Sequence, residues 1–344
     1  LHIIPPLLAH ALIALFAFSA IAGPPPTEQC ELILQTTEAM YNCDYVRAYA
    51  LCDTINTRWP DSPAGPIYRA SVLEAEMSDW EDRLSEREFE AQLKEARRRA
   101  EAWRSSDGRD AWAHYYLGQV AGTKAIFKSR IGETLDAVFA GLAAKDHFED
   151  ALTHDSTLYD AYTGLGAYHF WRSQKTMFLH WIPGVSDERE LGIREHILAA
   201  TRGTYTTDAA RHGLLFCYMA EKRFDEAAAI ADSLNAEFPA NRVFRWARAL
   251  VAFEAQDWQQ VVDAFLEVKR FLPQGERDNG YNRVQVAARL AEAYYNLGRY
   301  EDCLTECTRA VRIALNDDTK RKARDLLRAV GELTKKAQSR AGFG

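Results

Sequence analysis

The chain has 344 residues, 47% hydrophobic and 26% charged, ordinary globular proportions that exclude global disorder and a polytopic membrane protein. Lys plus Arg against Asp plus Glu gives 42 − 49 = −7, which argues against a protein that coats nucleic-acid phosphates. Six cysteines are too few for a disulfide scaffold, and none are spaced as paired C-x-x-C zinc motifs.

The first formal charge is Glu28, and before it Leu7 to Ala22 is apolar on every side. Read as an export signal, this run ends in Ala20-Ile21-Ala22, an A-x-A site before Gly23. As a helix it would span only about 24 Å, short of a hydrocarbon core of about 30 Å, so no transmembrane span is expected. The segment predicts an exported protein, extracellular or held in the periplasm or cell envelope.

After Pro24-Pro25-Pro26 a repeat begins. Phe224 and Trp258 are 34 residues apart, and Phe238-Pro239 and Leu272-Pro273 are again 34 apart. Behind each aromatic, small or apolar residues follow at three, seven and ten positions: Ala227, Ala231, Leu234, then Val261, Phe265, Val268. The offsets recur after Tyr45 (Ala48, Cys52, Ile55) and after Tyr300 (Cys303, Cys307, Ala310). A 34-residue period with 3–4 spacing inside each unit predicts helix-turn-helix pairs.

These residues, with Tyr162-Thr163-Gly164-Leu165-Gly166 and His114-x-x-Leu117-Gly118, resemble the tetratricopeptide-repeat superfamily. More loosely, the unit followed by Trp181-Ile182-Pro183-Gly184 is similar to a bacterial exported or envelope subgroup related to mitochondrial outer-membrane repeat proteins. The resemblance implies an all-α, right-handed solenoid of seven degenerate repeats, near 28–60, 64–106, 110–155, 159–204, 208–239, 242–273 and 281–315. Insertions are expected at about 81–87, 124–136, 171–186 and 274–281. The organisation predicted is an apolar N-terminal segment with a Pro-rich spacer (1–26), a solenoid (27–316), and a C-terminal capping helix and tail (317–344). The cap reads as one amphipathic helix, Lys320 to Arg340, with Leu326, Leu327, Val330 and Leu333 inward.

Catalytic chemistry finds no signature. There is no H-E-x-x-H, no G-x-S-x-G, no P-loop and no G-x-G-x-x-G, so a non-enzyme without cofactor or metal is expected. Cys303 and Cys307 occupy small-residue slots and are read as buried packing residues rather than ligands. Cys30 and Cys52 fall on opposing helices of the first repeat, where a disulfide is one option.

In the resembled family, ligands lie along the concave face of the first helices. Transferring those positions gives Ile33, Leu34, Met40 and Tyr41 in repeat one, then Tyr115, Tyr116, Phe170, Trp171, Phe216, Met219, Trp246, Leu250 and Phe253. The set is largely apolar, and burial inside a tight superhelix is the structural alternative for part of it. An apolar groove and an orphan apolar helix fit each other. Burying that helix would remove on the order of 1,000 Å² of apolar area, roughly 25 kcal/mol before entropy costs.

The sequence therefore predicts a protein that self-assembles head-to-tail, as ring or filament, by docking Leu7, Leu8, Leu12, Ile13, Leu15, Phe16, Phe18 and Ile21 in a neighbour's groove. The alternative is an envelope adaptor with a cleaved signal peptide that binds an apolar peptide or helix of another protein. No nucleic-acid partner is expected.

Overall fold

The computed structural model describes residues 23–179, 186–272 and 275–342. The docking segment expected between Leu7 and Ile21, the Trp181 to Gly184 insertion and Pro273 lie outside the described residues. Within them the chain is all-α, with no strand.

Seven helix pairs follow one another, each packed on the next: α1 (Thr27–Tyr41) with α2 (Tyr45–Arg58), α3 (Ala64–Trp80) with α4 (Glu86–Ser106), and α5 (Ala111–Arg130) with α6 (Thr134–His154). Then come α7 (Ala161–Lys175) with α8 (Arg189–Arg202), α9 (Thr207–Ala220) with α10 (Phe224–Glu237), α11 (Arg242–Glu254) with α12 (Trp258–Phe271), and α13 (Tyr281–Asn296) with α14 (Tyr300–Arg312). The pairs match the seven repeats that the resemblance implied. Two further helices, α15 (Asp317–Lys322) and α16 (Arg324–Arg340), follow, and α16 packs on α13 and α14.

One turn recurs in six of the seven pairs. A residue in the left-handed region follows the first helix: Cys43, Glu81, Gly132, Lys222, Gln256 or Gly298. The next N–H then reaches back five residues, as in Asp44 to the Ala39 carbonyl (2.9 Å), Arg223 to Tyr218 (2.8 Å) and Arg299 to Tyr294 (2.9 Å). This is a Schellman closure, which satisfies carbonyls that the helix end leaves bare. At Gly132 and Gly298 the backbone adopts it freely; at the four other positions the side chain costs roughly 1 kcal/mol. The second helix then starts on the aromatic itself, at Tyr45, Phe224, Trp258 and Tyr300. The residues three, seven and ten positions later are buried in all four units, with Cys303 and Cys307 among them as free thiols. Second helices α2 and α10 end two positions before Pro60 and Pro239, because a proline forces the preceding residue out of the helical region.

The insertion expected at 124–136 takes the form of a longer helical hairpin: α5 and α6 have 20 and 21 residues, against 13 in α11 and α14. One expectation needs correction. The cap is two helices broken at Ala323, although Val330 is buried and Leu326 and Leu333 pack on the core as expected. Cys30 and Cys52 are both free, and the Cys30 thiol donates to the Pro25 carbonyl (3.3 Å) and accepts from the Tyr205 hydroxyl.

Helices α7 and α8 touch backbone to backbone. A Cβ on Gly192 would lie 2.6 Å from the Gly166 carbonyl oxygen, so only hydrogen fits at this crossing. Beside it His196 is 1% exposed, its two ring nitrogens have no partner, and burial pushes its pKa down to about 4. Below about pH 6.5 the unfolded chain binds a proton that the folded chain refuses until about pH 4, so stability is lost as pH falls through that window. The loss should reach about 3 kcal/mol for this residue. Urea unfolding at pH 7 and pH 4.5 measures it, and His196→Leu should shrink the difference between the two.

Candidate functional site

The expected groove lies in the interior of the solenoid. Five acidic residues, Glu74, Glu76, Asp79, Glu81 and Asp82, crowd the C-terminal end of α3, where the helix dipole already disfavours negative charge. Cations from distant repeats answer them. Arg242 of α11 grips Asp79 through Nε (2.8 and 3.0 Å), and Arg277 bonds Asp82 (2.8 Å) and Glu76 (2.6 Å). Lys322 pairs with Glu81 (2.5 Å), while Asn282 of α13 donates to the Asp79 backbone carbonyl (3.0 Å). The Asp79 side chain is 2% exposed and also accepts from the Tyr45 hydroxyl (3.1 Å). Burial pulls the Arg242 pKa down, but its hydrogen bonds and charge attraction to Asp79 outweigh this and raise it, so the cation stays charged.

A second junction joins the first repeat to the fifth and sixth. The Tyr41 ring packs on Phe238 (5.3 Å) and Phe244 (5.5 Å), and its carbonyl accepts from Asn241 (2.7 Å). The superhelix is thus closed: α1 and α3 meet α11, α13 and the loop between α12 and α13.

Part of the expected groove is core. Tyr115 and Tyr116 are 1% exposed and Phe170 is 0% exposed, so all three are core residues rather than a free lining. Tyr115 and Tyr116 meet Trp112, whose ring is edge-on to Tyr205 (5.9 Å). Burial raises the phenols of Tyr68, Tyr115 and Tyr116 well above their ordinary value, and the nearby Asp160 charge adds to this for Tyr68 and Tyr115. Asp160 itself is held by the N–H groups of Thr204, Tyr205 and Thr206 (2.7–3.1 Å).

The remaining groove residues are half-buried and divide between two clusters. Phe216 and Met219 pack with Phe170, whereas Trp246, Leu250 and Phe253 belong to the core of the last repeats. Trp246 is edge-on to Phe265 (5.5 Å), and Phe253 lies under the Arg289 guanidinium (4.1 Å). Trp171 is 37% exposed and lies at the rim of the first cluster, edge-on to Phe170 (5.1 Å).

The exposed apolar surface lies elsewhere. On the first half of α6, Leu135 (74% exposed), Val138, Phe139 (68%) and Leu142 follow one another at i, i+3, i+4 and i+7, the spacing of a single helix face. Tyr168 of α7 approaches Gly141, so the antiparallel α7 carries Trp171, and beyond it exposed Met177 and Phe178, towards the same end. Such a patch is uncommon on a monomer and is the candidate interaction surface of the described residues. Sequence reasoning set 124–136 aside as an insertion and did not single out this face, although the 135/138/139/142 spacing was legible.

No helix among the described residues is long and apolar enough to cross a membrane. No family model matches the chain, and neither does any curated protein. Among solved structures the chain is similar to a tetratricopeptide-repeat protein from Parabacteroides merdae, at 13% identity over 88% of this chain and 99% of that one, TM-score 0.42. It is also similar to the C-terminal part of a repeat-containing protein from Cytophaga hutchinsonii (15% identity, 86% and 99% covered, TM-score 0.44) and to yeast Tom70 (12%, 90% and 90%, TM-score 0.32). Seven stacked helix pairs, six of them joined by the same turn, make the chain an α-solenoid of helix-turn-helix repeats.

Proposed function

We propose that the protein is a non-catalytic, exported interaction scaffold that self-associates, with the apolar segment 7–22 of one copy seated on the α6 stripe of another. The observation that carries this reading is the exposed face Leu135, Val138, Phe139, Leu142 in a chain that also holds an uncharged apolar segment. The acceptor differs from the groove expected from sequence, because Tyr115, Tyr116 and Phe170 of that groove are buried in the chain's own core.

Chain geometry favours exchange between copies over docking within one. Gly23 is tied to the N-terminus of α5 by its N–H, which donates to Asp110 (3.0 Å). Gly118 and Gly122 of α5 lie against Phe148 and Ala144 of α6, so the stripe begins opposite about residue 124, roughly 20 Å along α5 from Asp110. A helix leaving Gly23, about 24 Å long, would reach its own stripe only with its far end. A neighbour's stripe can be covered along its length.

Size-exclusion chromatography with light scattering tests the proposal. The full chain should associate, and Phe139→Asp should leave a folded monomer, since an unpaired carboxylate in an apolar contact costs several kcal/mol. Association unchanged by Phe139→Asp and by removal of residues 1–22 would overturn it.

The Gly23 contact also favours a second reading. Cleavage after Ala22 would turn the Gly23 N–H into an ammonium beside a carboxylate that is 6% exposed, a ready ion-pair partner. In that reading the mature chain is an envelope adaptor, and the stripe receives an apolar helix of another protein. N-terminal sequencing of the exported chain separates the two.

A further inference from the structure

At the opposite end of the α5–α6 hairpin from the apolar stripe, three side chains converge. His114 stands in the first turn of α5; His147 and Asp150 stand three residues apart on α6 and so share a face. The His114 Nδ1 and Asp150 Oδ2 atoms are 3.3 Å apart, and one ligand atom from each of the three residues falls within 4.8 Å of the others. His154, one turn beyond Asp150, brings its ring 5.6 Å from that of His114.

The proton arrangement is unusual for a plain hydrogen-bond cluster. His114 Nε2 lies 3.2 Å from the Gly108 carbonyl, which can only accept, so Nε2 carries the proton. In the neutral ring Nδ1 is then a lone pair, facing a carboxylate oxygen that is also rich in lone pairs. Nδ1 of His114 and Nδ1 of His147 are both buried without a hydrogen-bond partner. The His114 lone pair and the carboxylate repel each other across the space between them unless a proton or a cation sits there.

We propose that His114, His147 and Asp150 form a binding site for a zinc-class divalent ion, with water in the fourth position. Two imidazoles and one carboxylate suit Zn²⁺, whose ligands stand about 2.0–2.1 Å from the metal. Tetrahedral ligands at that radius are about 3.4 Å apart, so the present separations need only small side-chain rotations. The His114–Gly108 bond is the outer-shell contact that fixes tautomer and ring orientation in metal-binding histidines. Asp150 is more than half exposed and gives the ion a way in.

The test is calorimetric titration of chelator-treated full-length protein with zinc chloride at neutral pH, beside the variants His147→Ala and Asp150→Asn. The expected result is one zinc per chain, a zinc-dependent rise in melting temperature, and at least tenfold weaker binding in each variant. Asp150→Asn changes an exposed residue, so its loss of binding cannot be put down to misfolding, and circular dichroism checks both folds. Wild-type protein that takes up no zinc, as expected if His114 and Asp150 are a simple ion pair, overturns the proposal. So does zinc uptake that is equal in all three proteins.

Discussion

Arg242→Ala should destabilise the folded chain by about 3–5 kcal/mol, the cost of leaving a buried carboxylate without its cation. Asp79 is the reason: its side chain is 2% exposed, sits in the last turn of α3, and keeps only the Tyr45 hydroxyl when the guanidinium is gone. The neighbouring Arg277 is committed to Asp82 and Glu76. Guanidinium unfolding measures the loss. The double variant Asp79→Asn/Arg242→Ala should recover part of it, since the remaining group is no longer charged. A loss below about 1 kcal/mol, the range of a surface pair, would mean that the pair is solvated and does not hold the superhelix shut.

Gly192→Ala should be nearly as damaging, by about 3 kcal/mol. Helix propensity alone favours alanine over glycine by up to about 1 kcal/mol, so the sign depends on space. At Gly192 the added carbon would lie 2.6 Å from the Gly166 oxygen and 2.7 Å from the Phe170 nitrogen, both backbone atoms that cannot swing aside. Helices α7 and α8 must separate, and Phe170, fully buried beside them, loses its packing. Gly331 in α16 is the control: a Cβ there meets nothing within 4 Å, and Gly331→Ala should stabilise by up to about 1 kcal/mol. Thermal melts of the two variants should move in opposite directions.

The repeat was legible because its signals are local. An aromatic that opens the second helix, buried residues at fixed offsets behind it and a proline beyond its end all lie within one unit, so four pairs were legible from spacing and the family resemblance supplied the rest. Closure was not legible. Asp79 meets Arg242 and Asn282, and Tyr41 meets Asn241, across separations that leave no periodic trace, through polar residues that read as ordinary surface. The groove residues illustrate the limit. Transfer by repeat position placed Tyr115 and Tyr116 correctly on a first helix, yet whether such a face is wet depends on what the superhelix brings opposite it. For the histidine cluster, one ligand is separated from the other two by more than thirty residues, so no spacing motif could expose it.

Closure also changes what kind of object the chain is. An open solenoid is one-dimensional: units can be added or lost at an end, and each end frays by itself. Here the first two pairs are bonded to the last two, so the number of units is fixed by the fit between α3 and its distant partners. Duplication or deletion of a whole 34-residue unit would rotate Arg242 and Asn282 away from Asp79 and break the junction. The protein is therefore committed to a set count, like a ring with a clasp, and can diverge by changing side chains or lengthening hairpins such as α5–α6 rather than by gaining or shedding repeats.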